Sequence, residues 1–297
     1  MKKLSIVLLL VMFLVGCSNG SKNEDIMVYS RDEASGTRQA FEEIVGIENL
    51  TEEAAIVSSN GDMASQVGQN KHGIGYVSLS TDFEKNNLKG LTYEGVEPTI
   101  ENVIKGDYSL ARPFNFVTRG EDDFENEDIK ALTLAFIDFL TNSKEGRQMV
   151  LSEGGIVDVE AGIPWEELKV NHPIVDQDNS SLLLKTGGST SVVNTLTAAL
   201  EAFQPLAGNF KFEMNHTGSS DAFKRTLGEE KDSPNRVDIG FASRDFKSEE
   251  DIAKGLLYGE YAKDAVVVVV QKDHKMDGLT ATEVKDIFEG KLTSWES

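Results

Sequence analysis

Apolar runs of strand length alternate with amphipathic segments of helix length from about residue 25 onwards. The run 265–270 contains five consecutive valines, a pattern typical of a strand that is buried on both faces. Thr280 and Glu283 have the spacing of a capping box, which predicts a helix through Phe288. The alternation predicts an α/β fold with mixed, largely parallel sheets flanked by helices. The predicted strands are 26–29, 54–58, 73–78, 182–184, 210–214, 237–242 and 265–270, the predicted helices include 37–45, 129–140, 191–203, 220–227 and 280–288, and residues 85–95 and 164–180 are predicted to be connections.

Three short clusters of Gly, Ser and Thr lie where a predicted strand gives way to a predicted helix. They are residues 31–37, 187–191 and 217–220. The first turn of a helix presents backbone N–H groups that have no partner within the helix, and Ser and Thr add hydroxyl donors. Ligands of α/β sheets bind at the carboxyl ends of the strands, where these clusters lie. We therefore expect the three clusters to converge on one site for a small anion.

Two arginines, Arg31 and Arg244, directly follow predicted strands. A guanidinium donates two parallel, charge-assisted hydrogen bonds to a tetrahedral oxyanion, so both arginines are candidates for the anion site. The alternative is that each arginine pairs with the acidic residue beside it, which is Asp32 or Asp245.

The beginning of the chain has the pattern of an export signal. Two lysines precede an apolar run, Ile6–Val15, which is too short to span a bilayer as a helix. The run ends just before Cys17, the only cysteine of the chain, in a segment that resembles the bacterial lipobox. We expect a signal peptide at 1–16 and a lipid-anchored linker at 17–24. The alternative is an ordinary signal peptide with an incidental cysteine.

The formal net charge of −21 narrows the choice of partner. It argues against nucleic acid, because no basic stretch offsets the repulsion. An anion is also repelled at long range, so its capture must rest on short-range hydrogen bonds and local arginines. The chain has no phosphate loop, dinucleotide turn or nucleophile elbow, and its four histidines lack metal-type spacing. We therefore expect neither a cofactor nor a metal.

Several segments together resemble the motifs of one family, the phosphate-binding lipoproteins that feed bacterial phosphate ABC importers. The resemblance covers nearly all of the chain after the signal. Its most specific parts are Gly-Ser-Thr-Ser-Val at 188–192 and Ser-Arg-Asp-Glu-Ala-Ser-Gly-Thr-Arg at 30–38. The other similar segments are 73–78, 98–102, 110–113, 217–220, 238–244 and 279–295.

The order of these segments differs from the family pattern, in which the Gly-Ser-Thr-Ser half comes first. This chain is therefore similar to a circular permutant of the family's two-lobed periplasmic-binding-protein-like fold (type II). We expect residues 25–80 plus 263–297 to form lobe one and residues 81–262 to form lobe two, with the five-valine strand paired beside the strand at Met27. The alternatives are a truncated tandem array of half-domains or two chains that exchange halves.

The resemblance also implies a site. The residues that would hold inorganic phosphate in the cleft between the lobes are Arg31, Ser35, Gly36, Thr37, Thr190, Ser191, Ser219 and Arg244. One position departs from the pattern of well-known members, which place an aspartate where this chain has Arg244. That aspartate accepts the proton of hydrogen phosphate. The candidates for this role here are Glu33, Asp221 and Asp245.

The function implied by the resemblance is that of an extracytoplasmic solute-binding protein. It is expected to be a monomer that is held to the membrane by the N-terminal lipid, captures inorganic phosphate and delivers it to the membrane subunits of an ABC permease. It is not expected to be an enzyme or to bind nucleic acid. The alternatives are a phosphoester hydrolase that uses the same pocket and a degenerate sensor or adhesin that has lost transport.

Overall fold

The computed structural model describes residues 24–295. The predicted signal peptide at 1–16, the predicted lipid-bearing Cys17 and all but the last residue of the linker at 17–24 lie outside the described residues. The strands are β1 Glu24–Asp25, β2 Met27–Arg31, β3 Ala55–Val57, β4 Gly73–Ser78, β5 Leu88–Gly90, β6 Thr92–Tyr93, β7 Ala111–Thr118, β8 Leu183–Gly188, β9 Lys211–His216, β10 Ile239–Ala242, β11 Tyr258–Gln271, β12 Gly278–Leu279 and β13 Ser294–Trp295. The helices are α1 Gly36–Val45, α2 Asn60–Gln69, α3 Ile100–Lys105, α4 Glu127–Asn142, α5 Lys144–Ser152, α6 Trp165–Leu168, α7 Val193–Phe203, α8 Ser220–Thr226 and α9 Ala281–Phe288.

A mixed sheet runs through the described part of the chain in the order β3-β2-β4-β11-β7-β10-β8-β9, and β5 also pairs with β11. The long strand β11 lies in the middle of this sheet and joins its two halves. Its residues 258–265 pair antiparallel with β7, and residues 266–270 pair antiparallel with β4. The prediction that the five-valine strand pairs beside the strand at Met27 is wrong, because β4 lies between β2 and β11. Every residue of β4 is buried, as expected for a strand at the centre of a sheet.

The described residues pack around two hydrophobic cores. Core one consists of buried side chains from residues 28–110 and 265–295, together with Ile156. Core two consists of buried side chains from residues 114–262. The chain therefore passes from one core to the other at the start of β7, and it returns within β11.

The predicted start of lobe two at residue 81 differs from this packing. The apolar side chains of Leu88, Leu91 and Tyr93 lie in core one, although they follow residue 81. The physical reason is strand pairing, because β5 pairs with the valine strand β11 and β6 pairs with β12. The segment 85–95, predicted to be a connection, is therefore part of core one.

The segment 164–180 is not the simple connection that its polar composition predicts. Trp165 begins α6 and is almost fully buried in core two. Its ring packs edge-on against Phe139 and Phe203, with centroids 5.4 and 5.5 Å away. A single aromatic side chain of this size buries enough apolar area to hold an otherwise irregular segment on the core.

Side-chain caps are present at the starts of α9 and α1. The capping box of α9 is present as predicted, with Thr280 and Glu283 each bonded to the other's backbone N–H. Ser35 caps α1 by accepting a hydrogen bond from the Arg38 N–H at 3.2 Å. The cap residue Ser35 thus fixes the start of α1, which lies inside the first Gly/Ser/Thr cluster.

The two ends of the described chain lie side by side. β1 pairs antiparallel with β13, so that Glu24 lies opposite Trp295 and Asp25 opposite Ser294. Ile26 N–H extends this pairing by donating to the Thr293 carbonyl at 2.8 Å. A short turn is enough to join two antiparallel strand ends of this kind. The geometry therefore allows the chain to be opened elsewhere.

We expect a rearranged chain to fold if residue 295 is joined to residue 24 by a short Gly/Asn turn and the chain is opened between Ser180 and Ser181. Both serines are exposed and stand before β8, so the cut breaks no strand. Circular dichroism and cooperative thermal unfolding are the measurements. The matched control carries the same turn but is opened between Val267 and Val268, which are buried in β11. Equal behaviour of the two variants would contradict this account of the topology.

Candidate functional site

The three Gly/Ser/Thr clusters all lie at the carboxyl ends of strands. β2 ends at Arg31 and leads into α1, β8 ends at Gly188, and β9 leads through the third cluster into α8. Helix α7 begins at Val193 rather than at the predicted Ser191. Residues 189–191 therefore form a loop before that helix, in which side-chain hydroxyls are available in addition to the backbone.

Arg31 is buried and connects the first cluster to the second. Its Nη1 donates to Thr190 Oγ1 at 3.1 Å, and its Nη2 donates to the Ser58 carbonyl at 3.0 Å. The carboxylate of Asp32, the alternative partner, lies 4.0 Å from Nη2, which is too far for a hydrogen bond. Burial lowers the pKa of the guanidinium, and nearby Asp32 opposes that shift. The buried Nε has no hydrogen-bond partner among residues 24–295, so its N–H is available to a ligand.

Hydroxyl groups of the first two clusters meet across the gap between the cores. Thr37 Oγ1 and Ser191 Oγ are 2.8 Å apart and share a hydrogen bond. Thr190 is the hydroxyl that accepts from Arg31. Ser35 lies at the same end of α1, where its side chain is occupied as the helix cap. The second cluster thus faces the start of α1.

Ser219 brings the third cluster against the first. A Cβ added to Gly36 would lie 2.1 Å from Ser219 Oγ, so only glycine permits this approach. The backbone also makes contact, because Ser220 N–H donates to the Ala34 carbonyl at 3.2 Å. Ser219 Oγ itself accepts from the Ser243 N–H at 3.0 Å. The three clusters therefore converge in the structure, as their positions in the sequence predict.

Arg244 lies beside this convergence and is already paired. Its Nη1 and Nη2 form a two-pronged ion pair with Glu250 at 2.8 and 2.9 Å. The alternative prediction, that Arg244 pairs with the carboxylate of Asp245, is wrong. Nη1 instead donates to the backbone carbonyl oxygen of Asp245 at 2.7 Å. Its Cγ is 3.1 Å from the Cβ position of Gly36. The buried Nε again has no partner among the described residues.

The three candidate proton acceptors occupy different surroundings. Asp221 is held by Arg225 at 3.1 Å. Asp245 accepts a hydrogen bond of 3.3 Å from the side chain of Asn115. Glu33 lines an open cleft beside α1. Their role in proton acceptance stays a prediction.

A buried ion pair lies under the site and was not predicted from the sequence. Arg112 Nε and Nη2 donate to Asp264 Oδ2 at 3.0 and 2.8 Å, and neither side chain is accessible to solvent beyond 1%. Ser78 Oγ donates to the other carboxylate oxygen at 2.8 Å. Arg112 Nη1 donates to Ser243 Oγ at 3.3 Å. The sequence signal for this pair was a charged residue, Asp264, directly before the apolar run 265–270.

Burial shifts both partners of this pair toward their neutral forms, and each partner opposes the shift in the other. Burial lowers the pKa of Arg112, and the charge of Asp264 raises it. Burial raises the pKa of Asp264, and Arg112 lowers it. Arg112 stays protonated, as arginines in proteins do, and both carboxylate oxygens of Asp264 accept hydrogen bonds, as expected for an ion pair.

His216, at the end of β9, supplies no charge to the site. Its Nδ1 lies 2.9 Å from the Ser189 carbonyl and donates to it, while Nε2 lies 3.1 Å from Thr186 Oγ1. Burial lowers the pKa of His216 to about 4. The ring is therefore neutral at neutral pH, and it fixes the backbone of the second cluster.

Two clefts flank the contacts between the clusters. One has a volume of about 700 Å³ and is lined by Arg38, Arg112 and Arg244 together with acidic residues of α1. The other has a volume of about 560 Å³ and is lined by Thr190 and Ser191 among other polar residues. Residues of the convergent clusters and their arginines thus line two separate clefts, Arg244 one of them and Thr190 and Ser191 the other.

Comparisons with known proteins identify the family of the chain. A family model described as a PBP superfamily domain matches residues 17–145 and 172–297. The chain belongs to the PBP superfamily. Phosphate-binding protein PstS 2 of Streptococcus agalactiae is 32% identical over 295 residues, which cover 95% of this chain and 92% of that protein. PstS 2 of Streptococcus pneumoniae is 32% identical over 298 residues, with 95% and 93% covered.

A solved structure carries the same family's fold. The phosphate-binding protein of a phosphate ABC transporter from Streptococcus pneumoniae matches with a TM-score of 0.64 and 31% identity, covering 92% of this chain and 98% of that one. The two cores are therefore the two lobes of a PBP-like fold. None of the helices within residues 24–295 is long and apolar enough to cross a membrane. In the same residues, no three His, Cys, Asp or Glu side chains are grouped so that they could hold a metal ion.

We expect Asp264→Ala to lower the free energy of unfolding by about 3–5 kcal/mol, because it leaves the buried Arg112 without its partner. Chemical denaturation with a two-state fit is the measurement. Glu101→Ala is the matched control, since it breaks an exposed ion pair with Lys105 and should change stability much less. Similar losses in the two variants would contradict the importance assigned to the buried pair.

Proposed function

We propose that this protein captures inorganic phosphate between its two lobes and delivers it to an ABC permease. The names of the streptococcal relatives support the phosphate ligand and the transporter context. The proposal includes an extracytoplasmic location, with the chain held to the membrane by lipid on Cys17. The lipobox-like segment before Cys17 supports this part of the proposal.

The observation that carries the proposal is the set of donors gathered at one point. Arg31 contributes a buried Nε without a partner among residues 24–295. Thr37, Ser191 and Ser219 contribute hydroxyls from both lobes within the same convergence. A phosphate oxygen accepts hydrogen bonds from such donors, and the bonds to a charged acceptor are roughly twice as strong as those between neutral groups.

Binding of the anion replaces hydrogen bonds between protein groups by hydrogen bonds from those groups to the anion. Thr37 and Ser191 share a hydrogen bond across the lobes, as do Arg31 and Thr190. We infer that phosphate takes the place of these direct contacts and bridges the same groups. Closure of the lobes then excludes water, which strengthens each charge-assisted bond.

The permuted order of the halves belongs to the same proposal. The adjacency of β1 and β13 supports it, because the same fold with a continuous chain at these two strands would have its chain ends at another position. The alignment with the Streptococcus agalactiae protein runs through both halves of the chain and covers 92% of that relative. This favours the interpretation that the two halves stand in the same order in this chain and in that relative.

The test is titration calorimetry of purified protein from which bound anion has been removed. We expect phosphate to bind with one site per chain. Gly36→Ala should weaken binding by about 100-fold, because the new Cβ would lie 2.1 Å from Ser219 Oγ and would keep the lobes apart.

The matched control is Gly61→Ala in α2. Its Cβ meets nothing closer than Ser59 Oγ at 3.9 Å, so affinity should stay within twofold of the wild type. Absence of heat from the wild-type protein with phosphate would refute the function. Normal binding by Gly36→Ala would refute the assignment of the site.

A further inference from the structure

Ser243 is a buried hydroxyl that connects the ion pair to the second and third clusters. It follows β10 directly and is fully inaccessible to solvent. Ser189 Oγ donates to Ser243 Oγ at 2.8 Å, and Arg112 Nη1 donates to the same oxygen at 3.3 Å. Ser219 Oγ lies 3.2 Å from Ser243 Oγ, where either hydroxyl is able to donate. Ser243 thus has three polar neighbours around one oxygen.

The hydrogen-bonding capacity of a hydroxyl decides which of the two serines donates. A hydroxyl has one proton and two acceptor lone pairs. Arg112 has only protons to give, and Ser189 donates its own, so these two bonds use both lone pairs of Ser243. Ser243 therefore cannot also accept from Ser219. Its proton must go to Ser219 Oγ.

The same count applies to Ser219. Its oxygen accepts the Ser243 N–H at 3.0 Å and the Ser243 hydroxyl proton at 3.2 Å. Both of its lone pairs are then in use. The hydroxyl proton of Ser219 is therefore the part of this hydroxyl that remains for a further hydrogen bond. Ser219 Oγ lies against the start of α1 at Gly36, where the clusters converge.

The direction of this chain of hydrogen bonds is set by Arg112, because a guanidinium has no acceptor. Asp264 holds Arg112 through Nε and Nη2 and leaves Nη1 for Ser243. Both charged residues lie on the strands that pass between the lobes, β7 and β11. Their backbone is buried and paired, which fixes the position of the guanidinium.

We propose that Arg112, Asp264 and Ser243 are positioning residues that make the Ser219 hydroxyl an obligatory hydrogen-bond donor to the bound anion. This inference rests on the proposed function, since it takes Ser219 to contact the ligand. It specifies that the ligand oxygen at Ser219 accepts a hydrogen bond from Ser219 and does not donate one to it, because both lone pairs of Ser219 Oγ are already in use.

The test is a double-mutant cycle on phosphate affinity, measured by titration calorimetry with Ser219→Ala, Ser243→Ala and the double variant. We expect Ser243→Ala to weaken binding about tenfold in the wild-type background and by less than about twofold when Ser219 is already alanine. A merely structural loss would be the same in both backgrounds. Thr226→Val is the matched control, because it removes a buried hydroxyl that donates only within α8.

Arg112→Lys provides a second variant if Ser243→Ala does not fold. A lysine keeps the charge opposite Asp264, but its single ammonium cannot stay on Asp264 Oδ2, where Arg112 Nε and Nη2 both donate, and also reach Ser243. We expect it to reproduce the tenfold loss. Additive effects in the cycle, or wild-type affinity in Arg112→Lys, would overturn the inference. Absence of phosphate binding by the wild-type protein would instead overturn the proposed function.

Discussion

Two buried charges, Arg112 and Asp264, face each other where the chain crosses between its two lobes, and the arrangement of the site depends on them. Taking two such groups out of water is costly, so their bonds must be nearly complete. The carboxylate is bonded to Arg112 and Ser78, and the guanidinium reaches Ser243 with its remaining arm. Core one, core two and the site are thus tied together at one point.

The local features of the chain could be predicted well from the sequence. The valine strand, the capping box at Thr280 and the convergence of three clusters follow from short-range patterns that the structure confirms. The lobe boundary and the neighbours of β11 could not be predicted in the same way, because they depend on pairing between distant strands. The partner of Arg244 is Glu250, six residues on, and a loop conformation rather than a motif brings it there.

A protein with a formal charge of −21 is an unusual host for an anion. The structure resolves this by local means, since donors from both lobes lie within a buried region where water does not compete. Arg31 and Arg244 each have a buried Nε without a partner in the described part of the chain. Short-range hydrogen bonds in a low-dielectric site outweigh a repulsion that salt screens over about 10 Å.

The central claim is that one anion site is assembled from both halves of the chain. A crystal structure of the protein with phosphate tests this most directly. The account predicts a single phosphate in contact with Arg31 Nε, the start of α1, Ser191 and Ser219 at once. Phosphate held by residues of one lobe alone, or bound in either flanking cleft away from Arg31, would contradict it.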